Sequence, residues 1–499
     1  MPESCLSEEE RALLPLMACA RPMLDAAEGK VLTLLEQLAR AHPDKLQADS
    51  LQRSVQAALV RPVISWSQRT LILELGIARH YQQLDGDTPQ ERFADFVAWI
   101  GSAAGRKRLA QNYPTLQQDI RLRCQQSSQF ISSMLRQIVR DWPRLSQLAA
   151  SQGHRPGPLH SFTTQLGPRQ NHGKSVTRLD FAAPDTSTDS DGSSLYYKPH
   201  SMALDLAYHH LLDWLAQQGI VPLQRPAAVL DCGTYGYMAQ VKHQACGSLA
   251  ELTRYYERFG GLVALTHALG SVGLHHDNVI AAGEWPVLIN LETLLQPATT
   301  SPQQRHGPRP AFADTVLYSG LLPRGTPEGE HSDNTALFVP SDATVARIPV
   351  HAGTDQMKLT LQRVAQPQCD NLPRLANASM PDQALPWHHR DAICHGFIQT
   401  WQALMRNKQA LLAGPLAQFA KLPVRAMMRP TQVYHYALLA LTHPNYLDND
   451  DQRERLVARL RPVTVSGLAA RRAQLRRTPL LRCWPAERLA LQGGDVPRF

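Results

Sequence analysis

The sequence has few of the features that mark a secreted, membrane-spanning or metal-stapled protein. Its eight cysteines are scattered and form no CxxC pair, which argues against a disulfide framework and against a zinc site. The beginning of the chain is acidic where a secretory signal would be basic and then apolar. No apolar run approaches the length of a membrane span. We therefore expect a cytoplasmic protein without zinc.

A strong charge imbalance is also missing. The chain has 51 basic and 43 acidic side chains, a net charge of +8, and the excess is spread out, with its densest cluster at Arg471-Arg472 and Arg476-Arg477. It has neither zinc-finger spacing nor the aromatic and basic signature of RNA-binding domains. We expect a solvated basic face and no nucleic-acid partner, while a weak preference for polyanions or an acidic peptide stays open.

What the chain does contain is enough apolar sequence for a substantial core, with 43% hydrophobic and 19% charged residues. Residues 8–150 have helical character, and Thr88-Pro-Gln-Glu91 has the pattern of a capping box with proline inside it. Residues 151–158 have the composition of a linker. Loops in the helical region are predicted at Pro43, Pro62, Asp85-Gly86-Asp87 and Pro114.

Short extended runs follow the linker. Residues 175–182 and 194–198 flank a polar loop at 184–193 and predict a β-hairpin, with Leu195 and Tyr197 on one face of its second strand. Pro199 ends that strand. The remaining pattern predicts a helix that closes at Gly219, a hairpin at 228–242, a helix at 249–269, a loop-rich region at 299–350 and helices from Asp391 to Leu460.

Two pieces of this pattern are typical of a kinase. The turn Asn171-His-Gly-Lys-Ser-Val176 contains Gly173, which would let backbone N–H groups approach phosphate oxygens. Lys198 lies on the strand after the next loop, where kinases place a lysine that holds the nucleotide phosphates. Taken singly, each has a plainer interpretation, because most such turns are only turns and an edge-strand lysine usually faces water.

A third piece has the layout of a kinase catalytic loop. Protein kinases place a catalytic Asp five residues before a metal-binding Asn, and a metal-binding Asp after a short hairpin. Here Gly273-Leu-His-His-Asp-Asn278 is followed by a Gly283 turn, the strand 286–289 and Asn290-Leu-Glu292. Asn278 is present, but Gly273 and Asn290 stand where the two carboxylates are expected. The sequence therefore predicts a kinase layout that lacks two of its acids.

Several stretches of the sequence form one recognisable set. They are Tyr196-Tyr-Lys-Pro-His200, Tyr255-Tyr-Glu-Arg-Phe-Gly-Gly261, His275-His-Asp-Asn278, Pro286-Val-Leu-Ile-Asn-Leu-Glu-Thr293, Arg429-Pro-Thr-Gln-Val-Tyr434 and, more weakly, Val316–Pro323, Thr354–Met357 and Gly494–Phe499. Together they resemble the dehydratase domain of class II lanthipeptide synthetases. The resemblance implies an α+β fold with a bilobal kinase-like (lipid-kinase-like) core and a helical N-terminal region. We expect the helical region at 1–155, the N-lobe at 156–247 and the C-lobe, with an elimination-site helix, at 248–499, without a cyclase domain.

The resemblance also implies a two-stage chemistry. Such enzymes use ATP and Mg²⁺ to phosphorylate Ser and Thr of a ribosomal precursor peptide, and then eliminate the phosphate to leave dehydroalanine or dehydrobutyrine. The expected partners are therefore a precursor peptide and a complete lanthipeptide synthetase or a separate cyclase. The resemblance assigns phosphate binding to Lys198. It places His275 and Asn278 in the catalytic loop and Glu292 at the acidic residue that follows the metal-binding Asp. It assigns phosphate elimination to Arg425 and Thr431.

The sequence departs from the family at several of these positions. Gly273 replaces the catalytic Asp and Asn290 the metal Asp, while Pro168, Gln170 and His200 replace an assisting Asp, an assisting His and an Arg. Loss of a positioned base costs roughly 10²- to 10⁴-fold in rate, and Mg²⁺ prefers carboxylates. We expect doubtful binding of ATP and Mg²⁺ and impaired phosphorylation, unless His276 or Asp277 replaces the missing base.

Three interpretations follow. The chain is a dehydratase with an altered constellation, a non-catalytic module that binds a precursor peptide or a synthetase, or a lyase that acts on a peptide phosphorylated by another kinase. Elimination needs a cation for the leaving phosphate, and Arg425 can bind phosphate as a planar fork. The alternative is that Arg425 and Thr431 only pair and cap at the start of a helix.

Overall fold

The computed structural model describes residues 5–151, 153, 156–183, 193–296, 315–323, 335–337, 343–365, 370–376, 386–461 and 482–499. Helices dominate this part of the chain, and none of the described helices is long and apolar enough to cross a bilayer. They are α1 (Glu8–Leu13), α2 (Arg21–Ala41), α3 (Ala48–His80), α4 (Pro89–Gly101), α5 (Ala103–Asn112), α6 (Pro114–Ala150), α7 (Ala203–Gln217), α8 (Leu249–Ala268), α9 (Arg390–Arg406), α10 (Lys408–Ala413), α11 (Pro415–Phe419), α12 (Thr431–Leu441) and α13 (Asp450–Ala458).

The strands are short, and residues 482–492 form a further helix. The mixture of helices and strands agrees with the predicted α+β class, while the kinase-like, bilobal arrangement stays a prediction. The strands are β1 (Leu159–Thr163), β2 (Thr177–Phe181), β3 (Ser194–Lys198), β4 (Val229–Asp231), β5 (Gly236–Ala239), β6 (Val279–Ala282), β7 (Trp285–Leu288), β8 (Ala343–Val350) and β9 (Lys358–Ala365).

The chain forms two compact units, and each is built from separate stretches of sequence. Unit 1 contains Met1–Pro199, Val345–Arg363 and Thr431–Arg498. Unit 2 contains His200–Thr344, Val364–Pro430 and Phe499. The domain boundaries expected near residues 156 and 248 stay predictions.

The long helices of unit 1 confirm most of the helical pattern. Thr88 and Glu91 form the predicted capping box at the start of α4: the Glu91 N–H donates to the Thr88 hydroxyl at 3.2 Å, and the Thr88 N–H donates to the Glu91 carboxylate at 2.9 Å. Pro114 begins α6, where its missing N–H is harmless. The loop predicted at Pro62 is wrong, because Pro62 lies inside α3. Burial of Leu59 and Val63 around it outweighs the lost hydrogen bond.

A buried ionic network ties three helices of unit 1 together. The Asp119 carboxylate of α6 accepts hydrogen bonds from the Arg453 guanidinium of α13 at 2.5 and 3.1 Å and from the Trp66 indole of α3 at 2.7 Å. The guanidinium of Arg123 lies 4.0 Å from the centre of the Trp66 ring. Such a network stabilises the unit only while every charge keeps its partner.

The three strands β1, β2 and β3 of unit 1 pair antiparallel, and Leu179 of β2 lies opposite Leu195 of β3, which confirms the first hairpin. Leu195 and Tyr197 are both buried, as their shared face predicts. The Tyr197 hydroxyl donates to Gln137 of α6 at 3.0 Å, so the strand packs on that helix. Lys198 is also buried, with 9% of its surface exposed, so it is not a lysine that faces water.

Unit 2 contains the helix predicted to close at Gly219, the hairpin predicted at 228–242 and the helix predicted at 249–269. Leu204, Tyr208 and Leu211 of α7 face its core, and Gly219 after the helix has φ +79°. The hairpins β4–β5 and β6–β7 pair antiparallel, with Val279 opposite Leu288 in the latter. Helices α8 and α9 approach closely because Gly396 of α9 has no side chain: a Cβ there would lie 1.7 Å from the carbonyl oxygen of Glu257.

The region predicted to be loop-rich is described only in part. Residues 343–350 form the strand β8, which pairs with β9, so the loop prediction is wrong there. β-Branched residues such as Ile348 and Val350 favour strands. In unit 1 the turn after β8 packs on α4, with the Asp355 N–H donating to the Pro89 carbonyl at 3.0 Å. Residues 184–192 of the polar loop predicted at 184–193, and the basic cluster at 471–477, lie outside the described residues.

Candidate active site

The catalytic-loop segment of unit 2 is a closed turn held by its own side chains. The His275 N–H donates to the Asn278 side-chain oxygen at 3.0 Å, and the Asn278 N–H donates to the His275 carbonyl at 2.9 Å. The Asp277 N–H donates to His275 Nδ1 at 3.3 Å, and burial lowers the pKa of His275. Asn278 is buried (5% exposed), so its amide serves the turn itself.

Gly273, at the position of the missing Asp, is exposed and has φ +69°. A Cβ at this position would meet no described atom within 4 Å, so space does not exclude a side chain, while the left-handed backbone favours glycine. The next residue is braced by the segment Val316–Ser319: the Leu274 N–H donates to the Ser319 carbonyl at 2.9 Å. The resembling stretch at 316–323 therefore supports the catalytic-loop segment.

The hairpin β6–β7 carries the chain from Asn278 to the metal-side positions. The Ile289 N–H donates to the Asn278 carbonyl at 3.0 Å, which places Asn290 and Glu292 just beyond this joint. Asn290 is half-buried and Glu292 is buried (8% exposed). Asn290 has no negative charge, so Glu292 is the acid at this end of the hairpin.

Glu292 is bonded to Arg425, one of the predicted elimination residues. The Arg425 guanidinium donates to the Glu292 carboxylate, and each side chain is only 9% exposed. The Arg425 N–H also donates to the Glu292 carbonyl at 3.2 Å. Gln296 strengthens this joint, since its amide donates to the Arg425 carbonyl at 2.6 Å and accepts from the Met427 N–H at 2.9 Å. The segment 425–427 is therefore fixed along residues 292–296.

His200 is the third member of this group. Its Nε2 atom lies 3.7 Å from the second carboxylate oxygen of Glu292, which is an electrostatic contact rather than a hydrogen bond. Its Nδ1 atom lies 3.0 Å from the Ser201 carbonyl oxygen, and since a carbonyl only accepts, Nδ1 carries the proton in this contact. In the sequence, His200 stands out only as the replacement of an arginine. The feature that could have drawn attention to His200 is its titratable ring, which stands where the family has a permanently charged arginine.

The glycine turn belongs to unit 1 and is bound to another part of the chain. The Gly173 N–H donates to the Asp495 carboxylate at 2.9 Å, and the Val496 N–H donates to the Arg169 carbonyl at 2.7 Å. Gly173 has φ +82°, and a Cβ there would lie 2.9 Å from the Cβ of Gln126 and 2.3 Å from the Arg169 guanidinium. Glycine is thus required by the backbone and by packing, and its N–H already has an anionic acceptor. Asp495 is part of the resembling stretch at 494–499.

These observations place every predicted residue. Lys198 is the last residue of β3 and Thr431 the first of α12, both in unit 1 with Gly173. In unit 2, Arg425 and Glu292 are in contact, His275 and Asn278 lie on the catalytic-loop segment, and Asn290 lies just beyond the hairpin β6–β7.

A known protein family covers most of the chain. The model of a family described as a domain of unknown function (DUF4135) matches residues 113–499. The chain belongs to this family. The DUF4135 region contains all the candidate residues, from Gly173 to Thr431, and leaves out helices α1 to α5.

A curated relative has a described role. The lacticin 481/lactococcin biosynthesis protein LcnDR2 of Lactococcus lactis subsp. lactis is 22% identical over 406 residues, which cover 79% of this chain and 42% of that protein. The chain thus spans about two-fifths of the length of this relative. The DUF4135 match and this similarity point to a lanthipeptide synthetase-like family.

Proposed function

We propose that this protein acts in lanthipeptide biosynthesis on a ribosomal precursor peptide, where it eliminates phosphate from phosphorylated Ser or Thr. The similarity to a lacticin 481 biosynthesis protein supports the pathway. The contact between Arg425 and Glu292, with His200 beside it, is the observation that carries the chemistry. Complete dehydration would also need phosphorylation, which we propose is impaired in this chain.

Arg425 is suited to receive the leaving phosphate. Its backbone is fixed by Glu292 and Gln296, so the cation is positioned before substrate arrives. The bond to Glu292 uses Nη1, and a guanidinium has five N–H donors in all. Charge-assisted hydrogen bonds are about twice as strong as neutral ones. Removal of one preorganised donor to a developing anion typically costs about 10²- to 10³-fold in rate.

Elimination also needs a proton acceptor, and the His200–Glu292 pair lies next to the cation. In the proposed step the pair accepts the α-proton, and the electrons of the Cα–H bond form the double bond. The Cβ–O bond breaks and its electrons leave on the phosphate, whose charge Arg425 stabilises. The Glu292 carboxylate lies 3.7 Å from His200 Nε2, so it stabilises the positive charge of a ring that has taken up the proton.

The proposed loss of phosphorylation rests on the acids that are missing or already bonded. The Asn278 side-chain oxygen accepts from His275, and the Glu292 carboxylate binds Arg425, so neither is arranged to hold Mg²⁺ as in a kinase. Asp277 is exposed and lies 3.5 Å from His275 and 3.4 Å from His276. These contacts orient it within its own loop, and we propose that neither His276 nor Asp277 restores transfer from ATP.

A non-catalytic binding module is the second candidate. It is supported by two contacts within the protein. Glu292 neutralises the charge of Arg425, and the Gly173 N–H, which would bind a phosphate in a kinase, already donates to the Asp495 carboxylate. In this alternative the chain holds a precursor peptide, or a complete synthetase or cyclase, without chemistry.

Mass spectrometry of two matched peptides separates these candidates. A synthetic phosphoserine form of a lanthipeptide precursor peptide should lose phosphate and become dehydroalanine without ATP. The unphosphorylated peptide should stay unchanged with or without ATP and Mg²⁺. Dehydration of the plain peptide with ATP would restore the full dehydratase, and an unchanged phosphopeptide would favour the binding module.

A further inference from the structure

Unit 1 contains a cavity of about 370 Å³ that is lined by none of the candidate active-site residues. It lies among the residues before and at the start of α2, the helix α5 and the first turns of α6. Its floor is apolar and buried, and is formed by Cys19, Leu109, Leu116 and Ile120. Most of the residues that line the cavity precede residue 113, where the DUF4135 match begins.

The floor has no charge. The Cys19 thiol points at the Leu16 carbonyl at 3.5 Å, and burial raises its pKa to about 12, so it stays protonated and behaves as a small apolar group. Tyr113 presents its ring to the cavity, while its hydroxyl donates to Glu74 at 2.8 Å. An apolar side chain could therefore enter without burying a charge.

The rim is basic. Arg106, Lys107 and Arg121 line the cavity, and none of the residues that line it is acidic. Lys107 and Arg121 are exposed, and Arg106 donates to the Gly101 carbonyl, a neutral group that leaves its charge uncompensated. Three positive charges thus surround an apolar opening.

We propose that this cavity docks an acidic amphipathic peptide segment, with an apolar side chain in the floor and carboxylates on the basic rim. The volume falls within the usual range of ligand sites, about 300–1,000 Å³. Helical peptides commonly dock through apolar anchors one turn apart, and opposite charges at the edge set their orientation. This inference goes beyond the proposed elimination, because it uses none of the residues around Arg425 and holds whether or not they act.

Fluorescence anisotropy with labelled synthetic helical peptides tests the proposal on the full chain. One probe has leucines one turn apart with flanking glutamates, and its partner replaces each glutamate by lysine. The acidic probe should bind, and added salt should weaken it. Lys107→Glu combined with Arg121→Glu should weaken binding about tenfold, because two weak, exposed charge pairs on the rim are lost.

Arg108→Glu is the matched control for that variant, because Arg108 is an exposed residue of α5 outside the cavity lining. It should leave the affinity almost unchanged. Ala110→Trp should block the cavity and abolish binding, with thermal unfolding confirming that the variant folds.

The proposal is overturned if neither probe binds, if both bind equally, or if the charge-reversed variant and the Arg108→Glu control behave alike. It is also overturned if the chain ignores the acidic peptide and binds phosphatidylglycerol vesicles through the same rim, because the site would then serve an anionic lipid surface.

Discussion

Arg425 is bonded to Glu292 through both its side chain and its backbone, although 133 positions separate the two residues in sequence. The guanidinium donates to the carboxylate, and the Arg425 N–H donates to the Glu292 carbonyl at 3.2 Å. The resemblance assigns Glu292 to phosphorylation and Arg425 to elimination. The contact therefore joins a residue from each chemical stage, and it fixes the cation that the proposed elimination needs.

The Glu292→Gln variant should separate binding from chemistry. Glutamine keeps the shape and an oxygen for Arg425 but removes the negative charge, so inorganic phosphate should bind more tightly. Elimination should become slower by about 10²-fold or more, because the proton-accepting pair loses its carboxylate. Calorimetry with phosphate and the turnover of a phosphopeptide measure the two effects. Unchanged turnover would show that Glu292 has only a structural role.

Nucleotide binding should be weak or undetectable. Gly273 and Asn290 supply no charge, and Asn278 and Glu292 are engaged within the protein. Calorimetry with ATP and Mg²⁺ measures this, and the double variant Gly273→Asp, Asn290→Asp should gain affinity that depends on the metal. Aspartate tolerates the positive φ at residue 273 better than most side chains. Tight, metal-dependent binding to the unchanged chain would contradict the account.

The buried pair of Asp119 and Arg453 should be essential for the stability of unit 1. Removal of one partner leaves the other charge buried without its counterion, so Arg453→Ala should lower the free energy of unfolding by about 3–5 kcal/mol. Arg455→Ala, at an exposed position of the same helix, should change it by less than about 0.5 kcal/mol. Denaturant unfolding of both variants measures the difference. Equal stabilities would show that Trp66 and the surrounding packing carry the network.

The sequence predicted the elements that depend on interactions between residues close together in the chain. The capping box of Thr88 and Glu91 and the hairpin around Leu195 follow from the spacing of residue types over a few positions. Pro62 was misjudged because the packing of its neighbours in α3 depends on tertiary structure. The strand β8 was missed because its pairing with β9 is not visible in a region rich in Pro, Gly, Ser and Thr.

In the candidate site, individual residues could be predicted from the sequence, but the contacts between them could not. Resemblance supplied Arg425 and Glu292 as separate residues, but not their bond, which forms only when segments far apart in sequence fold together. Gln296 and His200 were missed as contributors for the same reason. Asp495 lay in a resembling stretch, yet its contact with Gly173 joins positions 322 residues apart. What each of these residues does chemically stays a prediction.

The conversion of a phosphoserine precursor peptide to dehydroalanine, followed by mass spectrometry without ATP, tests the central claim most directly. The unchanged protein should form the product. Arg425→Ala should reduce its rate by at least about 10²-fold, whereas Arg406→Ala, at an exposed position of α9, should not. Equal product from the Arg425→Ala variant, or none from the unchanged protein, would contradict the assignment of Arg425 to phosphate elimination.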